Sequence, residues 1–222
     1  LGYKPHQATV ATFGAENFSG IYFPKGGWIN IGQVCKDAQK SISNERMLLE
    51  TTVKGLEFSK ERWQVVGDQG DIICRARRVF VTSALGTQAL MKSVGIDVPL
   101  KPVRGQLTKF QFEAGSIWHK KSFDMAICGN VYALPPEKKT DTTYEVCLGS
   151  SYDEESSDLE VWPQSHTENI QKLKDVLNIG NIPDPYISGH FVGIRCVSKD
   201  RLPVMGPICG RPGLYVLIAL GS

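Results

Sequence analysis

Two segments constrain the fold more than any other part of this 222-residue chain: "VFVTSALG" (Val79 to Gly86) and "LYVLIALGS" (Leu214 to Ser222). Each is a near-continuous apolar run that ends in Ala-Leu-Gly. Runs of this kind fit strands buried on both faces of a parallel sheet, with a residue lacking bulk at the carboxyl end. In open α/β sheets ligands bind outside those ends. Two ordinary core strands followed by glycine turns are the competing reading.

The remaining segments place further elements around these strands. "INIGQVCKDAQKSISN" spaces Ile31, Val34, Cys35 and Ala38 along one helical face, just after Gly26 and Gly27. "TTVKGLEF", "RWQVV" and "DIICRARRVFVTSA" read as a β meander, with turn signals at Ser59-Lys60 and Gly67-Asp68-Gln69-Gly70. After Pro99, "GQLTKFQFE" and "TYEVCLGSSY" alternate apolar with polar residues, and "NVYALPP" is a strand stopped by its prolines. "SHTENIQKLKDVLN" is a helix whose expected capping box is Ser165 with Glu168, and whose apolar stripe is Ile170, Leu173, Val176 and Leu177.

Hydrophobic residues make up 41% of the chain and charged residues 22%, which excludes a disordered or low-complexity protein. No apolar run approaches ~18 residues and no signal peptide is evident, so the expectation is a cytoplasmic protein without a membrane partner. A net charge of +2 does not announce a dedicated nucleic-acid binder, and the clusters Arg75, Arg77, Arg78 and His119, Lys120, Lys121 read as solvated faces. The six cysteines show no zinc spacing and read as reduced, mostly buried thiols, with no metal site expected. The glycine fingerprint of a dinucleotide site is missing, and the chain stops after a buried-type strand. Both features lead to the expectation that it is a piece of a larger protein.

The stretch "GIRCVSKDRLPVMGPI" gathers Arg195, Lys199 and Arg201 around Asp200. A solvated loop, with an Arg195 to Asp200 ion pair, is one reading; an anion site is the other. Asp200 and Arg201 are expected to fix the turn.

Taken in order, "GGWI", "TTVKGL", "VFVTSALG", "KPVRGQLTKF" and "GIRCVSKDRLPVMGPI" resemble the FAD-dependent amine oxidoreductases of the D-amino-acid-oxidase and glycine-oxidase superfamily. Within it, "GIRCVSKDRLPVMGPI", "PVRGQLTKF", "LGSSYD" and "ALGS" are similar to the oxidoreductase half of the bifunctional enzymes of tRNA 5-methylaminomethyl-2-thiouridine biosynthesis. The resemblance implies an α/β plus α+β fold: a glutathione-reductase-like FAD domain, incomplete because its N-terminal βαβ unit is missing, with a mainly antiparallel substrate-binding domain. The implied divisions are a substrate-domain segment at 1–25, part of the FAD-binding domain at 26–98, the substrate-binding domain at 99–200 and a return to the FAD-binding domain at 201–222.

The resemblance further implies oxidation of 5-carboxymethylaminomethyl-2-thiouridine at tRNA wobble position 34, giving glyoxylate and 5-aminomethyl-2-thiouridine. FAD is the implied cofactor, tRNA the implied substrate, and S-adenosylmethionine is confined to a methyltransferase half. The chemistry sits on the flavin, so no catalytic side chain is expected. Arg195 and Tyr132 are implied to bind the substrate carboxylate, against a core role for the tyrosine. Gly27, Trp28, Val53, Ala84, Gly86, Gly206, Gly221 and Ser222 are implied to line the cofactor, against core roles for Trp28 and Val53. His190 is read as meeting a phosphate or as a structural hydrogen-bonder. Two other functions stay open: an oxidase of free glycine, sarcosine or D-amino acids, and a non-catalytic module that binds RNA or a partner.

Overall fold

A computed structural model describes residues 10–12, 19–21, 23, 25–41 and 47–221. In chain order the elements are β1 (Val10–Thr12), β2 (Ser19–Ile21), α1 (Ile31–Ser41), β3 (Val53–Ser59), β4 (Arg62–Gly67), β5 (Ile72–Ala76) and β6 (Val79–Val81). A 3-10 turn (Ala84–Gly86) leads into α2 (Thr87–Lys92), then β7 (Leu100–Glu113) and α3 (Ile117–Lys120). The short strands β8 (Ile127–Cys128), β9 (Tyr132–Ala133) and β10 (Glu137–Lys138) precede β11 (Thr143–Gly149) and β12 (Asp153–Glu154). The chain continues through α4 (Pro163–Val176), β13 (Tyr186–Ser198), β14 (Val204–Pro207) and β15 (Leu214–Ile218).

The chain forms two compact units. Unit one comprises Leu1–Ile42, Gly105–Tyr152 and Leu159–Gly193; unit two comprises Ser43–Arg104, Asp153–Asp158 and Ile194–Ser222. The crossing points therefore fall inside the long strands β7 and β13, and α1 groups with unit one.

Unit two contains the repeated apolar runs. β6 and β15 are parallel neighbours, Val79 opposite Leu214 and Val81 opposite Val216, with β14 antiparallel on the far side of β15. Gly213 makes the approach possible, since a Cβ there would overlap the Arg77 carbonyl oxygen, and its own carbonyl accepts the Val79 N–H at 2.8 Å. The expectation of burial on both faces fails. Val81, Leu214, Val216 and Ile218 enter the core, whereas on the opposite face Phe80 is 63% exposed and stacks on Tyr215 with ring centroids 4.6 Å apart. Side chains alternate across a strand, so a three-stranded sheet covered on one side buries every second residue.

The meander β3-β4-β5 is antiparallel, as its turn signals predict, and Lys60 and Glu61 close its first hairpin with positive φ. Trp63 is fully buried in this unit's core beside Leu56, Met91 and Leu214, and its indole N–H donates to the Pro212 carbonyl at 2.9 Å. The fully buried Arg104 is satisfied by the Asp153 carboxylate and the Asp158 carbonyl, each at 3.0 Å, which pins β12 to β7.

Unit one is built on β7 and β11, paired from Glu113 with Thr143 to Leu107 with Gly149. Thr108, Phe110 and Phe112 point into a core with Trp118, Val146, Leu148, Ile170 and Leu173. The stripe of α4 thus packs as its spacing predicts, but the capping box does not form. Pro163 occupies the first turn and the helix begins there, which puts Ser165 inside the helix and 2% exposed. Proline at that position gives up no needed N–H and presets φ, so it sets the start instead.

Two further expectations are corrected. α1 forms, but none of its residues is buried, so its apolar stripe is uncovered. All six thiols are free, yet Cys35, Cys74, Cys128 and Cys209 are exposed and Cys147 and Cys196 half-buried: Cys35 lies on the uncovered α1, Cys209 in a turn, and in β11 alternation turns Cys147 away from the buried Val146 and Leu148.

Candidate functional site

Both parallel strands of unit two end in the same backbone device. Past β6 the chain reaches Ala84 with φ of 49°, and past β15 it reaches Ala219 with φ of 54°. These left-handed bends turn the chain sharply at the carboxyl ends of neighbouring strands. Between them lies a pocket of 410 Å³, lined by Thr82, Ala84, Arg195, Cys196 and the stretch Leu217 to Gly221. That volume suits a small organic group, for which sites span ~300–1,000 Å³.

Arg195 and Cys196 come from the end of β13. Burial raises the Cys196 thiol pKa, and a hydrogen bond from the Ala219 backbone pulls the other way, so this thiol helps to hold the second bend. The half-buried Arg195 engages other groups of the protein, while its Nη1 is a buried donor to which the structure gives no hydrogen bond. It brings a fixed positive charge and a planar fork of donors to a largely apolar wall.

The motif around Asp200 resolves into structure. The Asp200 carboxylate accepts from Ser198 Oγ at 3.0 Å and from the Leu202 N–H at 3.1 Å, and these bonds lower its pKa. Arg201, itself left-handed, pairs with Glu154 at 2.9 Å. Both residues hold the turn, which leaves Arg195 as the cation of the motif that lines the pocket.

Of the residues expected at a cofactor or substrate site, Ala84, Arg195 and Gly221 come together in this pocket. Gly86 closes the 3-10 turn beside it, Gly206 lies on β14 opposite Val216, and the half-buried Val53 opens β3; none of the three lines the wall. Gly27 and Trp28 precede α1 in unit one, where Trp28 is 55% exposed, so a core role for it is excluded. Tyr132, also in unit one, is 58% exposed, which excludes a buried core tyrosine. His190 is exposed, with its ring 6.2 Å from that of His166. Ser222 lies outside the described residues.

Thr82, Cys196 and Ala219 are pocket residues that sequence reasoning did not single out. The available signal was their position at the ends of apolar runs. Among the described residues no cluster of metal-ligating side chains occurs, and no helix is long and apolar enough to cross a membrane.

A pocket at the carboxyl ends of parallel strands, walled by apolar and small residues and one arginine, defines a ligand-binding unit of the α/β class. The chain belongs to the FAD dependent oxidoreductase (DAO) family, whose model matches residues 5–222. It is 28% identical over 216 residues to the tRNA 5-methylaminomethyl-2-thiouridine biosynthesis bifunctional protein MnmC of Pseudomonas savastanoi pv. phaseolicola, covering 94% of this chain and 31% of that protein. The chain thus spans about a third of the length of the curated relatives it matches. Its fold is similar to iminodiacetate oxidase (IdaA) from Chelativorans sp. BNC1, with a TM-score of 0.66 and 19% identity over 85% of this chain and 48% of that one. Glycine oxidase from Geobacillus kaustophilus gives a TM-score of 0.57 and 18% identity over 75% and 42%. These structures establish the D-amino-acid-oxidase type of fold.

Proposed function

We propose that this chain is part of an FAD-dependent oxidoreductase that removes the carboxymethyl group from 5-carboxymethylaminomethyl-2-thiouridine at the wobble position of tRNA. The observation that carries the reading is Arg195 in the wall of the carboxyl-end pocket. The similarity to the bifunctional tRNA-modification proteins supports the choice of substrate.

The residues present fit the cofactor. A Cβ added at Gly221 would meet nothing within 4 Å, and the residues at the two left-handed bends, Ala84 and Ala219, carry only methyl side chains. Ala84 and Gly221, in the wall of this pocket, would hold part of the flavin, with Gly86 closing the adjoining turn. Bound there, FAD supplies the two-electron oxidation of the C–N bond. Arg195 grips the substrate carboxylate through its fork of donors and so presents the neighbouring carbon for oxidation. Tyr132 offers its exposed phenol as a substrate-binding group of its own unit. Water hydrolyses the resulting imine, releasing glyoxylate and leaving the aminomethyl nucleoside.

The test supplies the full-length protein, loaded with FAD, with tRNA carrying the carboxymethylaminomethyl nucleoside and measures glyoxylate. Stoichiometric glyoxylate with conversion to the aminomethyl nucleoside is expected. Turnover of free glycine or sarcosine without any turnover of tRNA overturns the reading.

A further inference from the structure

In unit two the meander brings Arg62 to the end of the sheet that carries Arg75 and Arg77. Trp63 pairs with Ala76 and turns its side chain into the core, so its neighbour Arg62 takes the opposite face, as does Arg75 just before Ala76, while the exposed Arg77 follows in the bend. Gln64 lies across from Arg75, with Arg62 two residues before it on the same face and so diagonal to Arg75, and Arg77 follows in the bend that ends β5. All three arginines are exposed, and among the described residues none forms an ion pair. Glu57 reaches the same face from β3, but Gln64 stands between it and Arg75, two strand spacings or roughly 9–10 Å across the sheet.

Like charges gathered at one end of a hairpin repel one another. Nothing described in this chain offsets that cost, whereas elsewhere in the same unit Lys101 and Arg201 each have a carboxylate within 3 Å. We propose that Arg62, Arg75 and Arg77 form a docking strip for the phosphate backbone of the RNA substrate. This rests on the tRNA reading above and extends it to a second surface, apart from the pocket-lining residues. Guanidinium forks match phosphate oxygens, and three adjacent ones on a rigid hairpin displace condensed counterions from successive phosphates.

The test measures Kd for unmodified tRNA against KCl concentration, using the full-length protein and its triple variant Arg62→Gln, Arg75→Gln, Arg77→Gln. The variant is expected to bind at least about tenfold more weakly at ~150 mM salt, with the slope of log Kd against log salt reduced by two to three. The corresponding triple lysine variant keeps the charge and is expected to keep most of the slope, which separates lost charge from lost folding. Unchanged affinity and slope in the glutamine variant, with tRNA still oxidised by the wild type, overturn the strip and leave the substrate reading intact. Wild-type protein that oxidises free amines but neither binds nor oxidises tRNA overturns both. Displacement of tRNA by poly-glutamate from the wild type, at the same concentrations as from the glutamine variant, overturns the strip as well.

Discussion

Ala84 and Ala219 each stand five residues beyond the register pair Val79 and Leu214, and both adopt left-handed backbone, with φ of 49° and 54°. For an L-residue that conformation costs ~1–2 kcal/mol, and glycine would adopt it freely at an entropic cost of ~0.5–1 kcal/mol. Ala84→Gly and Ala219→Gly should therefore each stabilise the protein slightly, by up to about 1 kcal/mol. Valine at either site should destabilise it. Thermal melts of the four single variants check both directions.

Replacing Arg195 with lysine keeps a cation in the pocket and removes the bidentate fork. Arg195→Lys is expected to lower kcat/KM for the carboxymethylaminomethyl substrate by at least about tenfold, the loss of one charge-assisted hydrogen bond worth ~1.5–3 kcal/mol. The flavin absorbance of the loaded protein should stay unchanged. Wild-type kcat/KM in this variant contradicts the carboxylate role.

A buried relay in unit one controls one histidine. Asn169 Nδ2 donates to the Gln106 carbonyl at 2.9 Å and to Thr108 Oγ1 at 3.1 Å, and the Thr108 hydroxyl shares a hydrogen bond with His166 Nδ1, 2.9 Å away. Burial, and then the neighbouring His190, lower its pKa. The unfolded chain therefore binds this proton more readily than the folded one. Stability is full above the unfolded value of about 6.5 and declines as pH falls below it, levelling off under the folded value. Urea midpoints between pH 7.5 and 5 should show the decline, and His166→Gln should remove its share.

Lys174 is 4% exposed and donates to the Ile182 carbonyl and to Asp184, both at 2.7 Å. Lys174→Met keeps the stem's volume and strips a buried carbonyl of its donor. The expected cost is ~1–3 kcal/mol, or a Tm lower by roughly 2–10 °C, measured by differential scanning calorimetry.

Thiol accessibility gives a direct count. Cys35, Cys74, Cys128 and Cys209 are exposed, so four thiols of the native protein should react rapidly with a maleimide. Cys147 and Cys196 should lag, since burial raises both pKa values and withholds the reactive thiolate. Peptide mapping of a timed labelling reaction identifies the sites.

The repeated Ala-Leu-Gly runs made the parallel pair β6 and β15 legible, because long apolar stretches have few other uses at that length. The stripe of α4 was equally plain. Its start was not: two valid local signals overlapped, and the proline governed the first turn while the Ser165 pattern lost. The positions of the cysteines were misread because burial depends on which face alternation assigns, and that needs the register. Arg195 was visible only through its motif. Thr82, Cys196 and Ala219 line the pocket because of backbone bends that no residue type announces. Arg75 and Arg77 were visible as a basic cluster, but that Arg62 joins them follows only from the pairing of β4 with β5.

The indole of Trp63 donates to the carbonyl of Pro212, a residue 149 positions further along the chain. During synthesis the meander must therefore wait until Pro212 has emerged before its central side chain finds its partner. The wall formed by Leu217 to Gly221 arrives later still. Ligand capture thus waits on chain emergence: a nascent chain that ends before Leu217 lacks the wall that closes the pocket.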